Sequence, residues 1–402
     1  MSFLSFFSKE KEEVALLIDI GNGTMTSALV LFSKREVPRF LYAISSQFSV
    51  TDFPDAKHLS QSLNTLLEVQ MAQITKEGFQ HKYWQGKSKN IAGGMVAFSS
   101  PWFILKTKHL SLSNETPFII TSRFLKNIIE REGDAFRKEL FEDKEHSFEV
   151  IEKSIVHTKI NGYTLENSLG KKTKNFEAFL CLSIVDAEVL SKIYQTVLRN
   201  VHVPKENLLV HTFPLVSFSV VRDIAPVNSD FILLDITADV TDLTLVSDNV
   251  IMQTVSMPSG KNFILRQISK VFGVSNEIGQ SMLDMYNLEK LDAASHEKMQ
   301  EVLINVEKEW SIYLENALLE LSSDMNLPVK IYLTADNDVA KLYTNFLKLS
   351  KTDVTSNFRK NASVIHVSQE LLSQLYKNDS LSPVDEFIVI LAIFYKKILE
   401  TR

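Results

Sequence analysis

Two segments of this chain share one design, and that repetition restricts the fold more than any other feature of its 402 residues. Residues 15–32, ALLIDIGNGTMTSALVLF, and residues 231–246, FILLDITADVTDLTLV, each read as an apolar strand, a tight turn and a second strand. In both, the first strand runs into an aspartate, Asp19 and Asp235. Placing Asp19 on Asp235, 216 positions further on, also places Leu29-Val30 on Leu245-Val246. The pattern predicts two related halves, each opening on a buried hairpin. In the first hairpin Asn22-Gly23 supplies a two-residue turn, with both residues expected at positive φ, which Asn and Gly tolerate best.

Helical spacing fills the intervals. Leu59, Leu63, Leu66 and Leu67 share a face over 57–71. Val189, Ile193, Val197 and Leu198 share another over 186–200, with Asp186 placed as its N-cap. A longer helix is expected over 295–324, where Met299, Val302, Val306, Trp310, Leu314 and Leu318 recur at three- and four-residue steps. Strands recur at 329–334 and 362–367, so the chain reads as an α/β protein. Residues 99–182 break the rhythm, with strands at 148–160 and 175–185 around Asn161-Gly162. That stretch is too rich in Phe, Ile and Val to be a linker and reads as a small α+β insertion. The expected division is a tail at 1–13, a first lobe at 14–98 and 184–227, and the insertion at 99–183. A second lobe follows at 228–275 and 326–402, with a helical subdomain at 276–325.

A chain of this length exceeds what one hydrophobic core supports. Its net charge of −6, from 43 basic and 49 acidic residues, argues against nucleic acid as a partner. The single cysteine, Cys181, lies in an apolar run and is expected to be a buried strand residue in a reducing compartment. Trp84, Trp102 and Trp310 are expected to pack, and the nine histidines show no ligand spacing. The longest apolar run near the C-terminus, Phe387 to Tyr395, falls far short of the roughly 20 residues that span a bilayer. A cytoplasmic location is expected. At the N-terminus Phe3, Leu4 and Phe7 share one helical face with Phe6 beside it. That run is either a frayed tail or an interfacial anchor on the inner face of the cell membrane.

A strand ending in Asp before a Gly-containing turn can hold a triphosphate. The turn's amides face phosphate, and the carboxylate holds a water-coated magnesium. Residues 18–24, IDIGNGT, have this form, although an ordinary hairpin can carry the same letters. The paired hairpins, the strand-helix unit at 180–225, the long helix and the strand at 329–334 together resemble the actin-like superfamily. Within it the chain resembles FtsA and, less closely, PilM. Ile120-Thr121-Ser122-Arg123-Phe124 is similar to the FtsA helix entry I-T-x-x-D, with Phe124 at the acid's place. Asn161-Gly162, then Asn167-Ser168-Leu169-Gly170, is similar to the FtsA hairpin D-G … N-P-[IL]-G. The resemblance implies a two-lobed ATPase fold of duplicated ribonuclease-H-like domains, an inserted SHS2-type domain, and ATP with magnesium between the lobes. It assigns Asp19 (to the metal through water), Gly21, Asn22, Gly23 and Thr24 to one phosphate turn and Asp235, Thr237 and Thr241 to the other. Gly260 ends a hairpin, and Thr334 faces the adenosine side.

The departures from that pattern bear on activity. The family's second turn is D-[IV]-G-G-G-T-T-D, whereas Asp235 to Asp242 contain no glycine, and Thr237, Ala238 and Asp239 bring bulk and charge. On the adenosine side Thr334 runs into Ala335-Asp336-Asn337, also without glycine. Phe213 stands before Pro214-Leu215, where the family carries Glu. Ser259-Gly260-Lys261 lacks the rest of a P-loop. The expectation is a degenerate ATP site without catalytic residues, and a sugar or acetate kinase lacks its base here. On the FtsA pattern the chain would be a division scaffold that links partners to the membrane face and self-polymerises. The alternative is a PilM-like cytoplasmic platform of pilus or secretion assembly.

Overall fold

The computed structural model describes residues 12–48, 56–140, 147–165, 167–227, 229–321, 327–349 and 362–401. The aromatic run at residues 3–7 lies outside them. Each half of the chain builds a sheet of the same plan. In the first, β1 (Glu13–Ile20) is flanked by antiparallel β2 (Thr24–Phe32) and then β3 (Arg39–Gln47). On its other side lie parallel β4 (Gly93–Phe98) and β9 (Leu208–Thr212), with the short β15 (Lys377–Asn378) beyond β3. In the second, β10 (Phe231–Ile236) is flanked by β11 (Thr241–Ser247) and β12 (Val250–Met257), and by parallel β13 (Lys330–Ala335) and β14 (Ser363–His366). The orders β3-β2-β1-β4-β9 and β12-β11-β10-β13-β14 are the same path drawn twice. Even the irregularities coincide. The β2–β3 ladder shifts register between Leu29 and Val30, and the β11–β12 ladder shifts between Leu245 and Val246, again 216 residues apart. A bulge leaves one residue unpaired and bends its strand, so a shared bulge position speaks for two copies of one hairpin.

The strands are apolar on both faces because both faces are covered. One face of each sheet meets α4 (Phe213–Ile224) and the C-terminal α10 (Glu386–Thr401), which lie between the lobes in a single core, with the short α9 (Gln369–Leu372) against α10. That core joins Leu17 and Met95 of the first sheet to Leu233 and Tyr332 of the second, and Phe213 packs on Phe387 at 5.2 Å. The outer face of the first sheet is covered by α1 (Ala56–Lys76) and α3 (Ala187–Val201), and Asp186 caps α3 through Glu188 N and Val189 N. The outer face of the second is covered by α5 (Lys261–Phe272), the long α7 (Ala293–Leu321) and α8 (Asn337–Leu349), with α6 (Asn276–Asn287) beside α5. Trp310 is fully buried there, and Trp84 and Trp102 are buried in the first lobe.

Between β4 and α3 the chain forms an antiparallel sheet of its own, in the order β5 (Phe103–Ile119), β8 (Lys172–Asp186), β6 (Phe148–Ile160), β7 (Tyr163–Thr164). The helix α2 (Ser122–Leu140) closes one face over a separate core of Ile128, Phe136, Phe176 and Leu180. Glu152 of β6 ties this unit to the first lobe, accepting from Thr212 N at 2.8 Å and Thr212 Oγ1 at 2.9 Å, and from Ser183 Oγ. Cys181 is fully buried in β8.

One turn differs from expectation. Asn161-Gly162 adopts the positive φ of a tight hairpin, at 50° and 83°, but neither Asn22 nor Gly23 does. The β1–β2 ladder closes at Ile20 and Met25, and Gly21 N donates to Thr24 O at 2.9 Å, so the connection is a wider loop. Gly23 is there for space. A Cβ on it would lie 2.0 Å from the Cβ of Ala238 in the opposite lobe.

Candidate functional site

The two hairpin turns meet across the interlobe cleft. Each follows the C-terminal end of a central strand, β1 or β10, and each closes with the same bond: Gly21 N to Thr24 O at 2.9 Å, Thr237 N to Val240 O at 3.0 Å. Asn22 projects from the first turn into the second, where its Oδ1 accepts from Ala238 N at 2.9 Å and Asp239 N at 3.2 Å. One carboxamide oxygen thus satisfies two adjacent amides of the other lobe. Behind the second turn, Lys261 N donates to Thr237 O at 3.0 Å and Asn262 N to Ala238 O at 2.6 Å. The first amides of α5, free donors in an uncapped helix, are therefore used by the turn itself. Gly260 makes this possible, since a Cβ there would lie 2.4 Å from Thr237 O. Above the joined turns a cleft of about 440 Å³ remains.

Six of the ten residues assigned from sequence line that cleft: Asp19, Gly21, Asn22, Gly23, Thr24 and Thr237. The other four are close by but serve the scaffold. Asp235 is buried beneath the second turn with both carboxylate oxygens unpaired. Thr241 Oγ1 donates to Ser259 O at 2.5 Å, Thr334 is buried in β13 beside Asp235, and Gly260 underlies the turn.

The floor is acidic. Burial holds Asp19 well above the ordinary carboxylate range, and the nearby Asp385 pushes it further. Asp235 is raised by burial and then by Asp242, Asp19 and Asp336. Burial also raises Asp242 and Asp385, against hydrogen bonds from Ser256 and Ile388 N that favour their charged forms. Glu386, beside them at the start of α10, is pushed up to about 8, chiefly by burial. Among the described residues no group of three or more His, Cys, Asp or Glu is placed to hold a metal ion.

No protein-family model and no curated protein sequence matches the chain. Solved structures do. The PilM-PilN type IV pilus biogenesis complex aligns with a TM-score of 0.58 at 14% identity, over 96% of this chain and 98% of that one. The ethanolamine utilization protein EutJ from Carboxydothermus hydrogenoformans aligns at 0.43 and 11%, over 96% and 89%. A Bacteroides thetaiotaomicron protein described as having an actin-like ATPase fold aligns at 0.38 and 8%, over 95% and 96%. The near-complete overlap with the first joins the duplicated sheets and the cleft between them. This chain has the actin-like ATPase fold.

Lys261, Arg266 and Asp239, the charged groups beside the second turn, are paired within the protein. Asp239, expected to add an uncompensated charge, is instead paired: Arg266 Nη1 lies 2.6 Å from its Oδ1, and Asn262 Nδ2 donates to its Oδ2 at 2.9 Å. Lys261 Nζ reaches Asp336 at 3.0 Å and Asp338 at 2.6 Å. Burial lowers the Lys261 pKa, but the two carboxylates outweigh it and the net shift is upward. Phe213, at the position where the family carries Glu, is sealed in the interlobe core. Sequence reading missed Lys261, Arg266 and Asn262 as part of the site. Their spacing on α5, at the first, second and sixth helical positions, places them beside the second turn only once that helix is docked. Trp102 Nε1, read as packing alone, also donates to Gly21 O at 2.7 Å and braces the first turn.

Proposed function

We propose that this protein is a partner-binding platform on the actin-like fold, of the PilM kind, whose cleft is closed to phosphate at the second turn by its own side chains while space remains above the joined turns. The observation that carries the closed-cleft reading is Asn22 bonded to both Ala238 N and Asp239 N. Those amides belong to the turn that the family resemblance assigns to phosphate. The residues at the second turn do not fit ATP with magnesium: that turn's amides are bonded, the first α5 amides are bonded, and Lys261 and Arg266 are paired. Losing even two charge-assisted phosphate bonds costs about 3 to 6 kcal/mol, roughly a hundredfold to ten-thousandfold or more in affinity.

The likeness to the PilM-PilN type IV pilus biogenesis complex supports a pilus-assembly component as partner, and a place at the inner face of a membrane rests on the sequence resemblance alone. The inserted unit, residues 99–183, is the part we assign to partner capture. Its far end carries Ile119, Tyr163 and Leu169 at 56%, 77% and 48% exposure beside Lys171, Lys172 and Lys174, which have no ion pair among the described residues. A division role with self-polymerisation, on the FtsA pattern, stays with the sequence motifs that suggested it. The test is fluorescence anisotropy with a labelled cytoplasmic peptide of the PilN-type protein from the same genome. Saturable binding, unchanged by ATP with magnesium and weakened at least tenfold in Tyr163→Ser/Leu169→Ser, is expected. Absence of binding removes the PilM-like role, and a binding constant that moves with ATP removes the closed cleft.

A further inference from the structure

Three side-chain groups that line the cleft are left unpaired: a carboxylate oxygen, a hydroxyl and the amide Nδ2 of Asn22. Asp19 Oδ1 and Ser99 Oγ are buried without a hydrogen-bond partner, and both residues line the cleft. Asp19 is 4% exposed and Ser99 1%. They are neighbours: β1 and β4 run parallel with Asp19 opposite Ala97, and Ser99 N donates to Ile20 O at 2.9 Å. Two bare oxygens therefore sit together at the ends of adjacent strands. At the mouth Glu277, in the first turn of α6, also lines the cleft, and no cation stands beside it among the described residues. Between floor and mouth the wall is partly apolar, with Leu59, Leu265 and Phe387.

We infer that this cleft binds a small organic polyamine, one ammonium on Asp19 Oδ1 and Ser99 Oγ, its methylenes along Leu59 and Leu265, and a second ammonium near Glu277. An alkylammonium has three donors and no acceptor, which suits two unpaired oxygens. A hydrated magnesium ion also meets a single carboxylate through its waters, but it makes no use of the apolar wall of Leu59 and Leu265. Lys261 and Arg266 do not compete, because Lys261 is held by Asp336 and Asp338 and Arg266 by Asp239; His58 also lines the cleft. The site takes up the floor and wall of the interlobe cleft beside the joined turns. This inference rests on the closed-cleft half of the proposed function and is independent of the partner.

The experiment is thermal unfolding of the full chain, with isothermal titration calorimetry, using spermidine, magnesium chloride and ATP with magnesium at matched ionic strength. Spermidine should bind one site and raise Tm by about 3 °C or more at saturation. Asp19→Asn keeps the side chain's shape and should weaken spermidine at least tenfold. Ser99→Ala, a smaller change, should weaken it severalfold and serves if Asp19→Asn does not fold. An equal Tm rise in both variants would reduce the effect to general screening of an acidic protein and overturn the site. An equal rise with magnesium chloride alone would overturn the polyamine assignment. ATP with magnesium outdoing spermidine would overturn the closed cleft as well, whereas silence with every ligand removes this inference only.

Discussion

Asn22 accepts from two amides of the opposite lobe, so a change there is felt on both sides of the cleft. Asn22→Ala leaves Ala238 N and Asp239 N without their acceptor. It should cost about 1–3 kcal/mol in urea unfolding and speed hydrogen exchange at those two amides specifically. Glu386 gives a second prediction. Its folded pKa stands near 8 against an ordinary 4.5, so the folded chain keeps a proton that the unfolded chain releases. Stability therefore falls as pH rises from about 4.5 to about 8 and levels off above. The buried Asp19, Asp235, Asp242 and Asp385 are shifted in the same sense. Glu386→Gln should match the wild type in Tm near pH 4.5 and exceed it by pH 8, by an equivalent of about 3–5 kcal/mol. A gap that does not widen with pH would show that Glu386 ionises freely. At this scale the sequence was half legible. Asp19 and the first-turn glycines announced the cleft, but Gly23 is small because of Ala238, more than two hundred residues away. Arg266, the partner of Asp239, lies 27 residues on and reaches it only once α5 is docked, which no local pattern could reveal.

Elements were read more reliably than contacts. The four-residue steps from Met299 to Leu318 became α7, and Asp186 caps α3 as its position suggested, because both signals are local. The paired hairpins were legible through their matching aspartates. Their shared bulge was not, since a bulge exists only in the pairing of two strands. The region around α4 shows what substitution of one residue does to an element. With Phe213 at its start, α4 buries an aromatic ring against Phe387 of α10, where the sequence resemblance led to an expected Glu. Phe213→Ala should cost about 3–5 kcal/mol through the cavity left behind, read as a lowered urea midpoint. A loss under 1 kcal/mol would mean that α4 and α10 collapse around the gap.

Across the whole molecule, the two lobes share one core through α4 and α10, while the inserted sheet has its own. Glu152 is a buried polar tie between that sheet and the first lobe, bonded to Thr212 and His211 of β9, while Ser183 of its own sheet also donates to it. Cys181, the chain's only cysteine, lies in the adjoining strand, its thiol pKa raised by burial and then by Glu152. A maleimide should leave the native protein unlabelled and react as the inserted sheet opens. Glu152→Ala should raise that labelling rate at least tenfold, since a buried amide and hydroxyl lose their acceptor. Unchanged labelling would place the opening elsewhere.

The clasp between the turns also bears on timing. A nucleotide that is bound, split and released gives a machine a clock, because each state lasts as long as the chemistry allows. With Asn22 in place of a ligand at the second turn, the chain proposed here has no such interval to count. Its association with a partner would follow concentration alone, tracing a simple isotherm in starved and well-fed cells alike. Any schedule in the assembly it serves would then have to be kept by another component.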